Sequence, residues 1–111
     1  MSQTAYAVFL VTAGSPEEAQ KIAGLLLERR KVACVNILPG VSSSYWWKGK
    51  LESASESLLI IKSKASLSDE IVKLVKSVHS YQVPEIIALP IIGGNPDYLA
   101  WIGAEVREGE L

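Results

Sequence analysis

The amino-acid sequence predicts an α+β fold: a four-stranded antiparallel sheet with two helices on one face and a further helix at the end. Three observations predict it. Apolar patterning alternates between strand-like and helical periods in the order β-α-β-β-α-β, then turns helical once more. Each helical stretch is preceded by a capping residue, and the breaks carry Gly, Pro or Ser. The 111 residues, 49% of them hydrophobic, suffice for one core and one domain, residues 1–111.

Tyr6 to Val11 is an apolar, β-rich run closed by Thr12-Ala13-Gly14, the first strand. Ser15 can cap the next helix, Pro16 suits its first position, and Glu18 completes a capping box. Ala19, Ile22, Ala23, Leu26 and Leu27 make one stripe over 16–30, and Arg29, Arg30 and Lys31 place cations at the negative end of its dipole. Val32 to Val41 is a second strand, bent or bulged at Pro39-Gly40, and Ser42 to Trp47 prolongs it. Lys48-Gly49 makes a tight turn. Lys50 to Lys62 returns as the third strand, polar at first, then continuously apolar at Leu58-Leu59-Ile60-Ile61, as in a strand covered on both faces. Ser66 caps a second helix over 67–79, with Leu67, Ile71, Leu74, Val75 and Val78 as its buried stripe. His79 to Glu85 is a loop, kept from continuing the helix by Pro84. Ile86 to Ile92 is the fourth strand, broken by Gly93-Gly94, and Asn95-Pro96-Asp97 opens a third helix over 96–106. A βαββαβ order closes into the ferredoxin-like arrangement and leaves the second sheet face to be covered.

Composition narrows the function. A net charge of −1 argues against nucleic acid as a partner, since phosphate binding needs clustered Lys and Arg, and the basic pairs of this chain sit beside carboxylates. Cys34 is the single cysteine, so no internal disulfide forms. Met1 to Thr4 lacks the features of a signal peptide, and no apolar run reaches the roughly 18 residues that cross a bilayer. The expectation is a soluble cytoplasmic protein with no membrane partner.

One feature predicts a partner of the chain's own kind. Residues 33–47, extended, would span roughly 45–50 Å at ~3.3 Å per residue. A globule of this size is about 35 Å across. The hairpin therefore projects, or bends at Pro39-Gly40, and its tip carries Tyr45-Trp46-Trp47. Each ring can bury ~150–250 Å², worth about 2–3 kcal/mol. Oligomerisation, with the hairpin laid across a neighbour's sheet, gives these rings a dry place. A stacking platform for single-stranded nucleic acid would need a flanking cationic groove that is missing. The third possibility is that the rings fold back onto their own core.

Four stretches carry a resemblance: Ala33-Cys34-Val35-Asn36-Ile37, Ser44-Tyr45-Trp46-Trp47-Lys48-Gly49-Lys50, His79-Ser80-Tyr81-Gln82-Val83-Pro84-Glu85-Ile86, and Tyr98-Leu99-Ala100-Trp101-Ile102. In this order and spacing the chain resembles the CutA family over about residues 5–104. The resemblance implies a stable homotrimer of ferredoxin-like subunits, similar in architecture to PII signalling proteins, with a part in tolerance to copper and other divalent metals. It implies no enzymatic reaction. Some relatives carry further Cys and His near these stretches; this chain has Val78 before His79 and no Cys in its first strand.

A transition-metal site needs clustered soft or borderline ligands. His79, Cys34 and Glu85 are the candidate metal ligands, against ordinary readings of a buried inert thiol and an imidazole at a helix end. The loop from His79 to Glu85 is the candidate pocket, with Tyr81 in it and Lys62 or Trp101 converging from elsewhere. His79 and Glu85 could form an acid–base pair, but no nucleophile with an orienting group accompanies them. No G-x-G-x-x-G, P-loop or C-x-x-C is present. The expectation is a non-enzyme that requires no cofactor, with copper or another divalent cation as the ion it would bind. The alternatives are a PII-like module taking a small ligand in clefts between subunits, or a scaffold for another protein.

Overall fold

Strand alternation sorts the side chains of β1 (Tyr6–Ala13) onto two faces in a computed structural model that describes residues 5–109. Ala7, Phe9, Val11 and Ala13 point one way and are buried, with Leu59 and Ile61 of β3 (Lys50–Lys64) beside them. β1 pairs with β3 from Tyr6↔Lys64 to Ala13↔Ser57, and with β4 (Ile86–Pro90) from Ala7↔Pro90 to Val11↔Ile86. β2 (Cys34–Trp47) pairs with the far side of β3, so the sheet order is β2-β3-β1-β4, antiparallel throughout. This is the predicted ferredoxin-like sheet. Two helices cover the buried face: α1 (Pro16–Glu28) through Ala19, Ile22, Ala23 and Leu26, and α2 (Ser68–Val78) through Ile71 and Val75.

The helix ends depart from the sequence reading in instructive ways. Ser15 caps α1 as predicted, its Oγ accepting from Glu18 N at 3.1 Å. The helix stops at Glu28, two residues early, because Arg30 takes a positive φ of 59°. Lys31 does not lie on the surface as a dipole cation. It is buried, and its Nζ donates to Arg107 O at 3.0 Å and Gly109 O at 2.7 Å and pairs with Glu70 at 2.8 Å. Ser66 caps nothing. A 3-10 turn occupies Ala65–Leu67, and the Ser66 hydroxyl donates to Glu108 Oε1 instead. β4 ends at Pro90 rather than Ile92, whose side chain is left 91% exposed.

α3 (Pro96–Glu105) lies on the second sheet face. Its Asn95 cap accepts from Asp97 N at 3.0 Å, Ile102 is fully buried, and Gly103 sits directly against the Tyr6 phenol. Val106 then returns to the helix-side core. α3 covers only part of this face: Leu38, Ile87 and Leu89 remain 46–47% exposed.

Beyond Leu38↔Leu58 the β2–β3 register shifts, and Val41 faces Glu56, so Pro39 and Gly40 oppose Ser57 alone. Gly40 has a φ of +72°, which glycine adopts at no steric cost. β1 has ended at Ala13 by this point, so residues 41–56 run on as a two-stranded arm closed by Lys48 and Gly49, both at positive φ. The arm stretches the molecule to 43 × 28 × 22 Å. Its rings do not fold back onto the core: Trp46 is 72% exposed, and Tyr45, Trp47 and Leu51 are exposed as well. Among the described residues no helix is long and apolar enough to cross a membrane.

Candidate functional site

Polar side chains converge where α2 gives way to the loop before β4. His79 caps the C-terminus of α2, and its side chain is fully buried against the end of β1. Nε2 lies 2.7 Å from Thr12 O, and Nδ1 accepts from Tyr81 N at 3.0 Å. These partners require the tautomer with its proton on Nε2. The Tyr81 ring packs on the imidazole at 4.8 Å between centroids, and its hydroxyl donates to Glu56 Oε2 at 2.6 Å. Tyr81 thus fills the edge of β3 that β1 vacates. Glu18, from α1, closes the other side: Oε1 accepts from Gly14 N at 2.9 Å and Oε2 from Ser80 N at 2.6 Å.

The electrostatics follow from these contacts. Burial pushes the Glu18 carboxyl up, but hydrogen bonds from Gly14 and Ser80, with His79 alongside, outweigh it and hold the group below its ordinary 4.5. Burial, then the hydrogen bond to Glu56 and its charge, push the Tyr81 phenol far above 10.0, so it is a committed donor.

A second cluster lies toward the opposite end of the sheet, on its second face. Asn36 Oδ1 accepts from Lys62 Nζ and lies 3.7 Å from Cys34 Sγ. Tyr98 of α3 stands against Cys34, and burial with that contact raises its phenol. Trp101 is tilted against Tyr98 at 5.5 Å. The predicted pocket is therefore two separate places. Tyr81 is in the loop cluster with His79, whereas Lys62 and Trp101 belong with Cys34, four residues of β3 away from the strand position level with Thr12.

The three candidate metal ligands do not meet in one chain. His79 has both nitrogens engaged and no exposed edge, which removes it from the ligand set. Cys34 lies in β2 and the exposed Glu85 just before β4, on opposite edges of the sheet, roughly 14 Å across three strand spacings. Among the described residues no three His, Cys, Asp or Glu side chains come together as a metal would need. The described residues of a single chain bring no transition-metal ligand set together. Sequence reasoning missed Glu18 and Glu56. Glu18 announced itself only as a capping-box residue, yet it reaches past Ser15 to Gly14 and Ser80.

A family model described as CutA1 divalent ion tolerance protein matches residues 7–105. The chain belongs to the CutA1 family. It is 45% identical over 100 residues to the divalent-cation tolerance protein CutA of Pectobacterium atrosepticum, covering 90% of this chain and 91% of that one. It is 48% identical over 101 residues to the chloroplastic protein CutA 1 of Oryza sativa subsp. japonica, covering 91% of this chain but 57% of the relative. The chain thus spans little more than half the length of that plant CutA. The crystal structure of CutA1 from Oryza sativa superposes with a TM-score of 0.90 at 46% identity, covering 97% of this chain and all of that one. The CutA1 structure from Thermus thermophilus also gives 0.90, at 42% identity over 92% and 99% of the two chains. The four sequence stretches thus identified the CutA family correctly.

Proposed function

We propose that the chain acts as a divalent-cation tolerance protein in the form of a homotrimer, with the β2–β3 arm of each copy laid on the next. Family membership supports the general role. The observation that carries the assembly is the arm itself: Trp46 at 72% and Leu51 at 66% exposure stand opposite one another at its tip, and the second sheet face leaves Leu38, Ile87 and Leu89 half uncovered. Exposed apolar surface of this extent marks an interaction site. Sedimentation of the full chain at micromolar concentration tests the reading. The expected species has three times the 12.0 kDa chain mass, and Trp46→Glu shifts it to lighter forms. A stable species of one chain mass overturns it.

Cation binding in this reading is weak and assembled between copies, from donors such as Cys34 and Glu85 that one chain keeps apart. Copper titration of the assembled protein, followed by calorimetry, should lose its heat in Trp46→Glu. Retention of full binding by separated chains contradicts a shared site.

A second reading, a regulatory module for a small anion in the clefts between copies, has one observation in its favour. Among the described residues the Lys62 ammonium has no carboxylate within 4.0 Å; its named partner is the neutral Asn36 amide. Small anions that raise the melting temperature of the native chain, but not of Lys62→Met, support this reading. Equal shifts in both proteins dismiss it.

A further inference from the structure

Strand alternation sets the charge of Lys62 on an apolar surface. On the second sheet face its row continues through Val8 to Leu89, and the adjacent row holds Ile60, Leu10 and Ile87. Ile87 and Leu89 are half exposed, and Lys62 is half-buried. The ammonium has three protons to donate, and the Asn36 amide oxygen takes one of them. Whatever covers this face strips water from the ammonium, and a dry cation without an anion is strongly disfavoured. The cover must therefore bring negative charge together with apolar surface.

The same side of β3 runs on into the arm. Glu52 lies an even number of residues before Lys62, so both project from one face, roughly 33 Å apart at ~3.3 Å per residue. Glu52 is exposed, stands opposite Tyr45 across the hairpin, and among the described residues pairs with no cation. Trp47 follows on the same face, paired with Lys50. Glu56, the arm's other carboxylate, is buried and already holds the Tyr81 hydroxyl. The arm thus offers one free carboxylate, set beside aromatic rings.

We propose that the second sheet face is the docking surface for the arm of another copy, and that Glu52 of that copy supplies the anion Lys62 lacks. Charge and reach choose this occupant. A single chain holds the two groups too far apart to close the pair, whereas a second copy delivers rings and carboxylate in one piece. Each copy gives one Glu52 and receives one. Giver and receiver are different surfaces, so the contact is head-to-tail, the kind that closes into rings. The pairing rests on the homotrimer reading and adds to it the residues that fix register. A slip of two residues one way sets Lys50 against Lys62, cation against cation, and the other way leaves Lys62 facing Ala54. Lys62 is then held by a copy of the chain and not by a free anion.

The test is a charge exchange in the full chain, read by sedimentation over a dilution series. Lys62→Glu and Glu52→Lys should each raise the concentration at which the assembly separates by about tenfold or more, since each sets like charges against one another. The double variant restores the pair with its signs exchanged and should return to within about threefold of the native chain. Its recovery also shows that the single variants fold. Glu28→Lys, at an exposed carboxylate on the helix side, should leave the assembly unchanged. A water-soluble carbodiimide, which joins a carboxylate to an amine in contact with it, reads the native protein directly. The coupled peptides should link Glu52 to Lys62 in species of two and three chain masses. A double variant no better than the weaker single overturns the pairing. So do single variants that assemble like the native chain, or Lys62 coupled to a different carboxylate. In each of these cases a native species of three chain masses leaves the trimer standing and only the pairing fails. A native species of one chain mass removes both.

Discussion

Glu18 shows how much one side chain can join. It stands at the third position of α1, yet its oxygens tie Gly14 before the helix and Ser80 from a loop 62 positions on. Because its native carboxyl is held below 4.5, its contribution is fully present above that value and is lost as pH falls through the lower native one. Thermal melts at pH 7 and pH 3 should therefore show a smaller acid loss in Glu18→Gln than in the native chain. Tyr81 runs in the opposite sense: its raised phenol contributes fully below pH 10.0 and loses that contribution only as pH climbs through the native value. Tyr81→Phe leaves the buried Glu56 without its donor and should cost about 1–3 kcal/mol in denaturant unfolding. The sequence singled out His79 and Tyr81, and the structure gives both of them hydrogen-bond partners within the chain. A lone histidine suggests a ligand until its partner carbonyl, 67 positions away, is seen to fill it. Glu56 gave no signal, since it looks like any charge on a polar stretch of strand.

At the scale of elements, the order and partners of the strands were legible because period-two and helical apolar patterns alternate cleanly. The bulge was legible too, because Pro39-Gly40 interrupts an otherwise continuous strand. What escaped was the start of α2. Leu67 fits the helical stripe, and only the 3-10 turn shows that the helix proper begins one residue later. The bulge also yields a clean measurement. Nothing lies within 4 Å of a methyl group added at Gly40, so Gly40→Ala should be destabilising by about 1–2 kcal/mol purely through its left-handed backbone. Gly24, exposed inside α1 with the same open surroundings, is the control. Gly24→Ala should stabilise by about 0.5–1 kcal/mol, and chemical denaturation of the pair separates backbone strain from packing.

Across the whole molecule, the chain after α3 is fastened to the chain before β2 and to the end of β3. Lys31 holds the carbonyls of Arg107 and Gly109, Arg107 N donates to Arg30 O, and Lys64 pairs with Glu108. Lys31→Ala should cost about 2–3 kcal/mol, the scale of a charged hydrogen-bonding group, and should speed proteolysis after residue 105. None of this was visible in the sequence, where Lys31 simply extends a basic cluster and the two carbonyls it holds lie more than seventy positions away. The projecting arm, by contrast, could be anticipated from length alone.

The three tryptophans of the chain, Trp46 and Trp47 on the arm and Trp101 on α3, all lie outside the helix-side core. Intrinsic indole emission therefore gauges what touches the arm and the second face, and is blind to the Phe9–Leu59–Ile61 interior. A fluorescence melt and a circular-dichroism melt of this protein should trace different events, the first leading the second whenever the arm lets go before the sheet does.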